Sequence, residues 1–256
     1  MKVSVVIIAR NAEPTLRRCL ESVAWASEIV LVESGSTDRT AEIAREFTPH
    51  VYQTPDFPGF GAQKNRALDR ATGDWILALD ADEWVTPGLR AGIEAAIAAP
   101  GDKVAFAIPR RSSFCGRFMR HSGWWPDYVI RLWRRGSARF AEDHPHDRAV
   151  VQGRIGRLRE PILHEAVVDL EQMMTKVNMY SSISANMFHQ QGRRGSLPGA
   201  LVHGAWAFFR TYFLRLGFLD GREGFLLAVL NAEASYYRYA KLMLLARENT
   251  EIGNRK

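Results

Sequence analysis

Three carboxylates stand close together at the end of an apolar run in this 256-residue chain: Asp80, Asp82 and Glu83 follow the stretch from Trp75 to Leu79. The apolar stretch predicts a buried strand, in which unpaired charges would be costly. At the carboxyl end of a strand, the same carboxylates can face the crevice where open α/β sheets place their ligands. Oxygen ligands suit Mg²⁺ or Mn²⁺, and such a cation would hold a phosphate-bearing substrate. The other interpretation is a solvated acidic turn leading into a helix capped by Thr86-Pro87.

A second polar turn, Glu33 to Asp38, lies between a predicted strand (28–32) and a predicted helix (39–47). Its small residues let the backbone approach a ligand, and its acidic side chains can accept hydrogen bonds from a base or a ribose. A helix-capping turn, with Thr37 or Asp38 as the cap, explains the pattern equally well. The chain has no G-x-G-x-x-G after its first strand and no G-x-x-x-x-G-K-[ST], so neither a dinucleotide fold nor a P-loop is indicated.

Strands and helices must alternate to position these two turns. The pattern predicts strands at 3–9, 28–32, 50–53, 75–79, 104–109 and 128–133, and helices at 15–24, 39–47 and 61–70. This alternation predicts an α/β fold with a mostly parallel sheet and helices on both faces. Beyond Glu165, helical periodicity dominates at 170–191 and 197–247. We therefore expect a catalytic domain at 1–165 and a helical C-terminal region at 166–256.

Composition limits the class of protein. Apolar residues make up 46% of the chain, enough for a sizeable core, and the two cysteines, Cys19 and Cys115, do not form a disulfide framework. The first apolar run is too short for a signal peptide, and no segment has the ~18 uninterrupted apolar residues of a membrane span. We expect a cytoplasmic protein, or one attached to the inner membrane from its cytoplasmic face.

Charge indicates an anionic partner. The net charge is +6, with arginines clustered at 110–111, 131–139, 154–159 and 193–194. Such clusters suit a nucleoside diphosphate, an anionic lipid surface or nucleic acid. No motif for RNA or DNA binding is present, so a nucleic-acid partner is not predicted.

Three motifs occur in an order that carries a resemblance: the strand end Ala9-Arg10-Asn11, the turn VESGSTDRT and the strand end LALDADEW. Over roughly the first two thirds of its length, the chain resembles the family 2 glycosyltransferases with the nucleotide-sugar-binding fold called GT-A. The segments GFGAQKNRAL, WWPDYVIRLWRR and FLDGREGFLLAVLNAEASYYRYAKL resemble the bacterial subgroup that builds lipopolysaccharide core, typified by a β-1,4-glucosyltransferase acting on the inner-core heptose.

The resemblance implies roles for individual residues. Glu33 stands where the family usually has Asp and would contact the uracil or ribose, and Lys64 would meet the diphosphate unless it lies on a solvated helix face. The implied metal ligands are Asp82, Asp80 and His164. The implied donor-binding residues are Ala9, Arg10, Glu33, Ser34, Lys64, Asp80 and Arg131.

The resemblance also implies a catalytic base. Inversion by single displacement needs one carboxylate to take the proton of the acceptor hydroxyl. The subgroup has a His-Glu pair after its R-L-[FW]-[KR]-R segment, and the corresponding pair here is His146-Asp147. Asp147 is the expected base, with Glu142 and Asp143 close enough to compete.

The implied reaction is an inverting transfer that depends on Mg²⁺ or Mn²⁺. A sugar, with glucose expected, would pass from a nucleoside-diphosphate sugar, with UDP expected, to a lipid-linked saccharide acceptor of the lipopolysaccharide core. The alternatives are a polyprenyl phosphate or protein acceptor, or a non-catalytic α/β module that binds nucleotides or nucleic acid.

The helical tail has three interpretations. Aromatic residues between 197 and 219 alternate with Arg210 and Arg215, which suits a helix lying in a membrane interface. Packing against 225–230 and 236–239 and contact within a homodimer explain the same pattern. The resemblance favours peripheral contact with the inner membrane.

Overall fold

The chain folds around one large sheet and a group of C-terminal helices. The computed structural model describes residues 1–142 and 148–253. The strands in these residues are β1 (Val3–Ala9), β2 (Glu28–Glu33), β3 (Val51–Gln53), β4 (Trp75–Asp80), β5 (Glu83–Val85), β6 (Lys103–Phe114), β7 (Arg117–Phe118), β8 (Asp127–Arg134), β9 (Ala138–Phe140), β10 (Ala149–Val151), β11 (Arg154–Arg157) and β12 (Ile162–Val167). The helices are α1 (Glu13–Ser22), α2 (Thr40–Phe47), α3 (Phe60–Leu68), α4 (Pro87–Ala98), α5 (Leu170–Gln190), α6 (Leu197–Phe209) and α7 (Gly221–Gly253).

The sheet has the order β3-β2-β1-β4-β8-β6-β12-β5. Its first four strands are parallel, as expected for strands joined through helices. Beyond β4 the direction changes, because β8 pairs antiparallel with both β4 and β6, and β12 pairs antiparallel with β5. Parallel β11 and antiparallel β7 also pair with β6, and β9 and β10 form a separate two-stranded sheet.

Alternating side chains of the strands bury both faces of the sheet. Val5 and Ile7 of β1 pack in a cluster with α1, α2 and α4, whereas Val6 packs in a second cluster with α3. Cys19 of α1 is buried in the first cluster. Helix α4 begins at Pro87, and the Thr86 side chain accepts a hydrogen bond from the Leu89 amide at 3.1 Å, which confirms the predicted cap.

The structure divides into two compact units. The first contains residues 1–111 and 126–165, and the second contains residues 112–125 together with the chain from Ala166 onward. In the second unit, α7 packs against both α5 and α6, with Val177, Leu227 and Leu230 in the core. Within the described residues, no helix has the length and apolar character needed to cross a membrane. The division into domains at 165 stays a prediction, since compactness alone does not test independent folding.

Gly61 lets α3 approach the backbone that follows β9. A Cβ atom on Gly61 would lie 2.0 Å from the carbonyl oxygen of Ala141. We expect Gly61→Ala to lower the free energy of unfolding by about 2–3 kcal/mol, since neither backbone can move freely. Gly92 of α4 has nothing within 4 Å of the same position, so Gly92→Ala should instead raise stability by about 0.5–1 kcal/mol. Urea unfolding of both variants checks the contrast, and equal effects would contradict the contact.

Candidate active site

Three predicted donor-binding residues, Ala9, Glu33 and Asp80, lie at the ends of neighbouring strands at one edge of the sheet. In the register of the parallel strands, Ala9 lies beside Glu33, and Ile8 lies beside Asp80. The carboxyl ends of β1, β2 and β4 therefore meet, as an open α/β sheet requires at its ligand-binding edge. Arg10 is exposed immediately after β1.

Glu33 is buried in the turn after β2 and fixes the shape of that turn. Its carboxylate accepts hydrogen bonds from the Ser36 amide and from Gln53 Nε2, the latter at 3.2 Å. Burial acts to raise the pKa of Glu33, but the hydrogen bonds from Ser36 and Gln53 lower it overall. The ionised carboxylate therefore organises the turn.

Helix α3 is tied to the same turn. Gln63 donates a hydrogen bond to Ser34 Oγ at 2.7 Å, and the Ser34 amide donates to the Ala9 carbonyl at 3.1 Å. These bonds connect β1, the turn after β2 and α3, so the next residue of α3, Lys64, is held at the sheet edge.

Lys64 and Arg131 converge on Asp80. Lys64 Nζ lies 2.5 Å from Asp80 Oδ1, and Arg131 Nη2 pairs with Asp80 Oδ2. Burial acts to raise the pKa of Asp80, but the charges of Arg131 and Lys64 outweigh it and hold that pKa well below its usual range. Lys64 is only 3% exposed, so the solvated-face interpretation of this lysine is wrong.

Glu83, the third carboxylate of the cluster, has a structural role that the sequence did not predict. It is fully buried in β5, where Oε1 accepts from Arg131 Nη2 at 2.8 Å and Oε2 accepts from the Asp80 amide at 3.0 Å. Arg110 Nη1 lies 3.7 Å from the same Oε1. Glu83 is not the cap of the next helix, because Thr86 caps α4; Glu83 instead fixes Arg131 against Asp80.

Asp82 and His164 face each other across two strand ends. His164 Nε2 lies 3.5 Å from Asp82 Oδ2, because β5 and β12 pair antiparallel with His164 opposite Glu83. The Glu165 amide also donates to the Asp82 carbonyl at 3.0 Å. The Asp82 side chain is 41% exposed, which leaves its carboxylate accessible to a ligand.

The donor set at this point fits a hard or borderline cation with two protein ligands. A carboxylate oxygen and an imidazole nitrogen 3.5 Å apart can share one ion, whereas both Asp80 oxygens are engaged by Lys64 and Arg131. Among residues 1–142 and 148–253, no group of three or more His, Cys, Asp or Glu side chains is arranged to hold a metal. A cation here would need further ligands from the substrate or from water.

The expected base, Asp147, lies outside the described residues, as do Asp143 and His146. The residues on either side of this segment are close together, since the Ala141 amide donates to the Arg148 carbonyl at 2.9 Å. Glu142 is exposed and accepts a hydrogen bond from Asn65 Nδ2 at 2.7 Å. Glu142, the described residue that precedes this segment, is therefore held against α3.

An α/β sheet with paired acidic and basic side chains gathered at its carboxyl edge has its charged groups where such folds place their ligands. The model of glycosyl transferase family 2 matches residues 4–162, so the chain belongs to this family and is a glycosyltransferase. This membership confirms the predicted resemblance and the predicted GT-A α/β fold with C-terminal helices, and it sets aside the non-catalytic module.

Similar proteins extend over nearly the whole chain. The lipopolysaccharide core biosynthesis glycosyltransferase LpsC of Rhizobium meliloti is 29% identical over an alignment 269 residues long. The alignment covers 98% of this chain and 97% of that protein. An uncharacterized glycosyltransferase of Rickettsia felis is 30% identical, with 94% of this chain and 89% of that protein covered. Among solved structures, S. aureus TarS 1–349 in complex with UDP-GlcNAc has a TM-score of 0.52 at 19% identity, covering 73% of this chain and 67% of that one. The likeness to TarS supports the fold.

Proposed function

We propose that this glycosyltransferase is inverting and metal-dependent, and that it moves glucose from UDP-glucose to a lipid-linked saccharide of the lipopolysaccharide core. The observation that carries the proposal is the pairing of Asp82 with His164 beside the Lys64–Asp80–Arg131 cluster, at the carboxyl edge of a family 2 domain. The near full-length similarity to LpsC supports the class of acceptor.

The donor lies along the edge formed by the ends of β1, β2 and β4. Ala9, Arg10 and the Glu33-Ser34 turn contact the nucleoside, with Glu33 acting on the uracil or ribose. Lys64 and Arg131 bring positive charge to the diphosphate, and Asp80 holds both cations in place before the donor arrives.

Asp82 and His164 would hold Mg²⁺ or Mn²⁺ together with diphosphate oxygens. Positive charge at this place stabilises the charge that develops on the departing nucleoside diphosphate. Asp80, which the resemblance also implies as a ligand, acts here through Lys64 and Arg131.

Asp147 is the base that activates the acceptor. It takes the proton of the acceptor hydroxyl, and the hydroxyl oxygen forms a bond to the anomeric carbon from the face opposite the diphosphate. The bond from that carbon to the diphosphate oxygen breaks, and its electron pair leaves with UDP, so the anomeric configuration inverts.

The acceptor places the enzyme at the cytoplasmic face of the inner membrane, where a lipid-linked saccharide is presented. A polyprenyl phosphate or a protein acceptor would use the same donor chemistry. Transfer of labelled glucose to lipopolysaccharide with a truncated core, compared with transfer to polyprenyl phosphate, separates these acceptors.

We expect Asp147→Asn to lower turnover of UDP-glucose by about a thousandfold, because an amide cannot take the acceptor proton. The affinity for UDP should be unchanged, since the base acts on the acceptor. Initial rates of UDP release, together with calorimetric titration of UDP with Mn²⁺, measure both quantities.

The matched control is Glu142→Gln, which changes the competing carboxylate held by Asn65. Turnover within about threefold of the wild type supports Asp147 as the base. A full loss in Glu142→Gln with normal turnover in Asp147→Asn would move the role to Glu142.

A further inference from the structure

The second unit carries most of the exposed apolar surface. Of the 27 large hydrophobic side chains that are exposed among the described residues, 21 lie in this unit. Scattered exposed apolar residues are ordinary, but such a concentration indicates an interaction surface.

Helix α6 buries small residues and exposes large apolar ones, the reverse of a helix that packs on a water-soluble core. Its buried positions are the small residues Ala200, Gly204 and Ala207. A Cβ atom on Gly204 would lie 3.2 Å from Tyr236 Cβ and 3.3 Å from the Ala232 carbonyl, so this small-residue stripe fits closely against α7. Small residues at the contact between helices, with large apolar residues facing outward, are typical of helices surrounded by lipid.

The large residues of α6 form a separate face, here called the outer face: Leu201, Val202, Trp206, Phe209 and, in the π-helical segment Arg210–Leu214, Phe213. Their exposed fractions are 57%, 66%, 50%, 44% and 48%. At about 100° per residue, the four members on α6 fall within one arc of about 140°, opposite the buried stripe. A continuous apolar face of this kind needs a cover.

The charged residues around the outer face are all basic, which favours an anionic partner. Helix α6 contains no Asp, Glu, Lys or Arg, and the charged residues from Arg193 to Leu219 are four arginines with no acidic residue. Two of them, Arg210 and Arg215, follow the helix directly, and both are exposed. A second copy placed on this face by two-fold symmetry would bring like charges together, whereas anionic headgroups would meet the arginines favourably.

We propose that the outer face of α6 inserts into the interfacial region of a bilayer that contains anionic lipid, with the flanking arginines at the headgroups. Trp206 and the phenylalanines suit that depth, because aromatic side chains are enriched at the boundary between lipid and water. The helix lies in the interface, in keeping with the finding that no described helix can span a membrane. This inference deepens the proposed function, which places the enzyme at the inner membrane, by naming the surface that meets the lipid.

The test is sedimentation of the full chain with vesicles of phosphatidylcholine, with and without phosphatidylglycerol. We expect the wild type to bind vesicles containing phosphatidylglycerol, and the Trp206→Ser, Phe209→Ser double variant to bind them at least about tenfold more weakly. The matched control is Val150→Ser with Ile155→Ser, which removes two equally exposed apolar side chains (49% and 46%) from the first unit and should bind like the wild type.

A second variant keeps the test decisive if the apolar substitutions disturb folding. Arg210→Gln with Arg215→Gln changes the two exposed arginines that follow α6, and it should weaken binding only to vesicles that contain phosphatidylglycerol. The proposal is overturned if the wild type stays in the supernatant with both vesicles, or if the Trp206/Phe209 variant, folded by circular dichroism, binds as well as the wild type. It is also overturned if light scattering shows a dimer that the Trp206/Phe209 variant dissociates and the Val150/Ile155 control does not. A second copy of the chain would then cover the outer face. Sedimentation requires no turnover, so failure here is distinguishable from failure of the proposed reaction.

Discussion

Asp82→Asn should lower sugar transfer by about a thousandfold and remove the effect of Mn²⁺ on UDP binding. The carboxylate of Asp82 is accessible and lies 3.5 Å from His164 Nε2, and an amide in its place gives the ion one weak neutral ligand. The free energy of unfolding should stay within about 0.5 kcal/mol of the wild type, since the side chain is 41% exposed. Calorimetry with UDP in the presence and absence of Mn²⁺, together with urea unfolding, measures both effects.

The matched control for this substitution is Asp102→Asn, which alters an exposed aspartate that pairs with Arg154. It should leave UDP binding, its Mn²⁺ dependence and turnover unchanged. Undiminished Mn²⁺-dependent binding in Asp82→Asn would remove the metal role from this residue. Because binding is measured without an acceptor, the result is independent of which saccharide receives the sugar.

The apolar run before Asp80 made the sheet edge predictable. Hydrophobicity alone predicts β4, and the carboxylates at its end fit either a ligand-binding edge or a solvated turn, between which the family resemblance chooses. The periodicity of the C-terminal region likewise predicts α5, α6 and α7, and the glycines at 192–195 and 217–224 predict the breaks between them.

The short antiparallel strands could not be predicted in the same way. Strand β5 has three residues, too few to show a period, and its pairing with β12 joins positions about 80 residues apart. The contact between Asp82 and His164 depends on this pairing, so the residues alone did not predict it and only the family resemblance suggested it.

The burial of Lys64 and Glu83 could not be predicted from the sequence either. Both residue types are mostly exposed in proteins, and each is buried here because an oppositely charged partner comes from another strand or helix. Local patterns favour a solvated lysine or a helix-capping glutamate at these positions. Only the tertiary structure brings Asp80 and Arg131 together to compensate the charges.

Glu83→Gln tests whether this buried network holds the site together. We expect a loss of about 3 kcal/mol in the free energy of unfolding, because Arg131 is 4% exposed and would lose its ion pair with the buried Glu83 carboxylate. The loss should extend to function: Arg131 is no longer fixed against Asp80, so the affinity for UDP should fall by about tenfold even under conditions in which the variant is fully folded.

The comparison that isolates burial is Glu94→Gln, the same chemical change at a residue that pairs with Arg90 at 2.8 Å on the surface of α4. An exposed pair of this kind contributes less than about 0.5 kcal/mol, so this variant should unfold and bind UDP like the wild type. Both variants remove one carboxylate charge from an ion pair with arginine. In Glu94→Gln the pair is exposed to water, whereas in Glu83→Gln it is buried. If Glu83→Gln matched Glu94→Gln in both urea unfolding and UDP titration, the Arg131–Asp80 pair would not depend on Glu83, and the proposed role of Glu83 would be wrong.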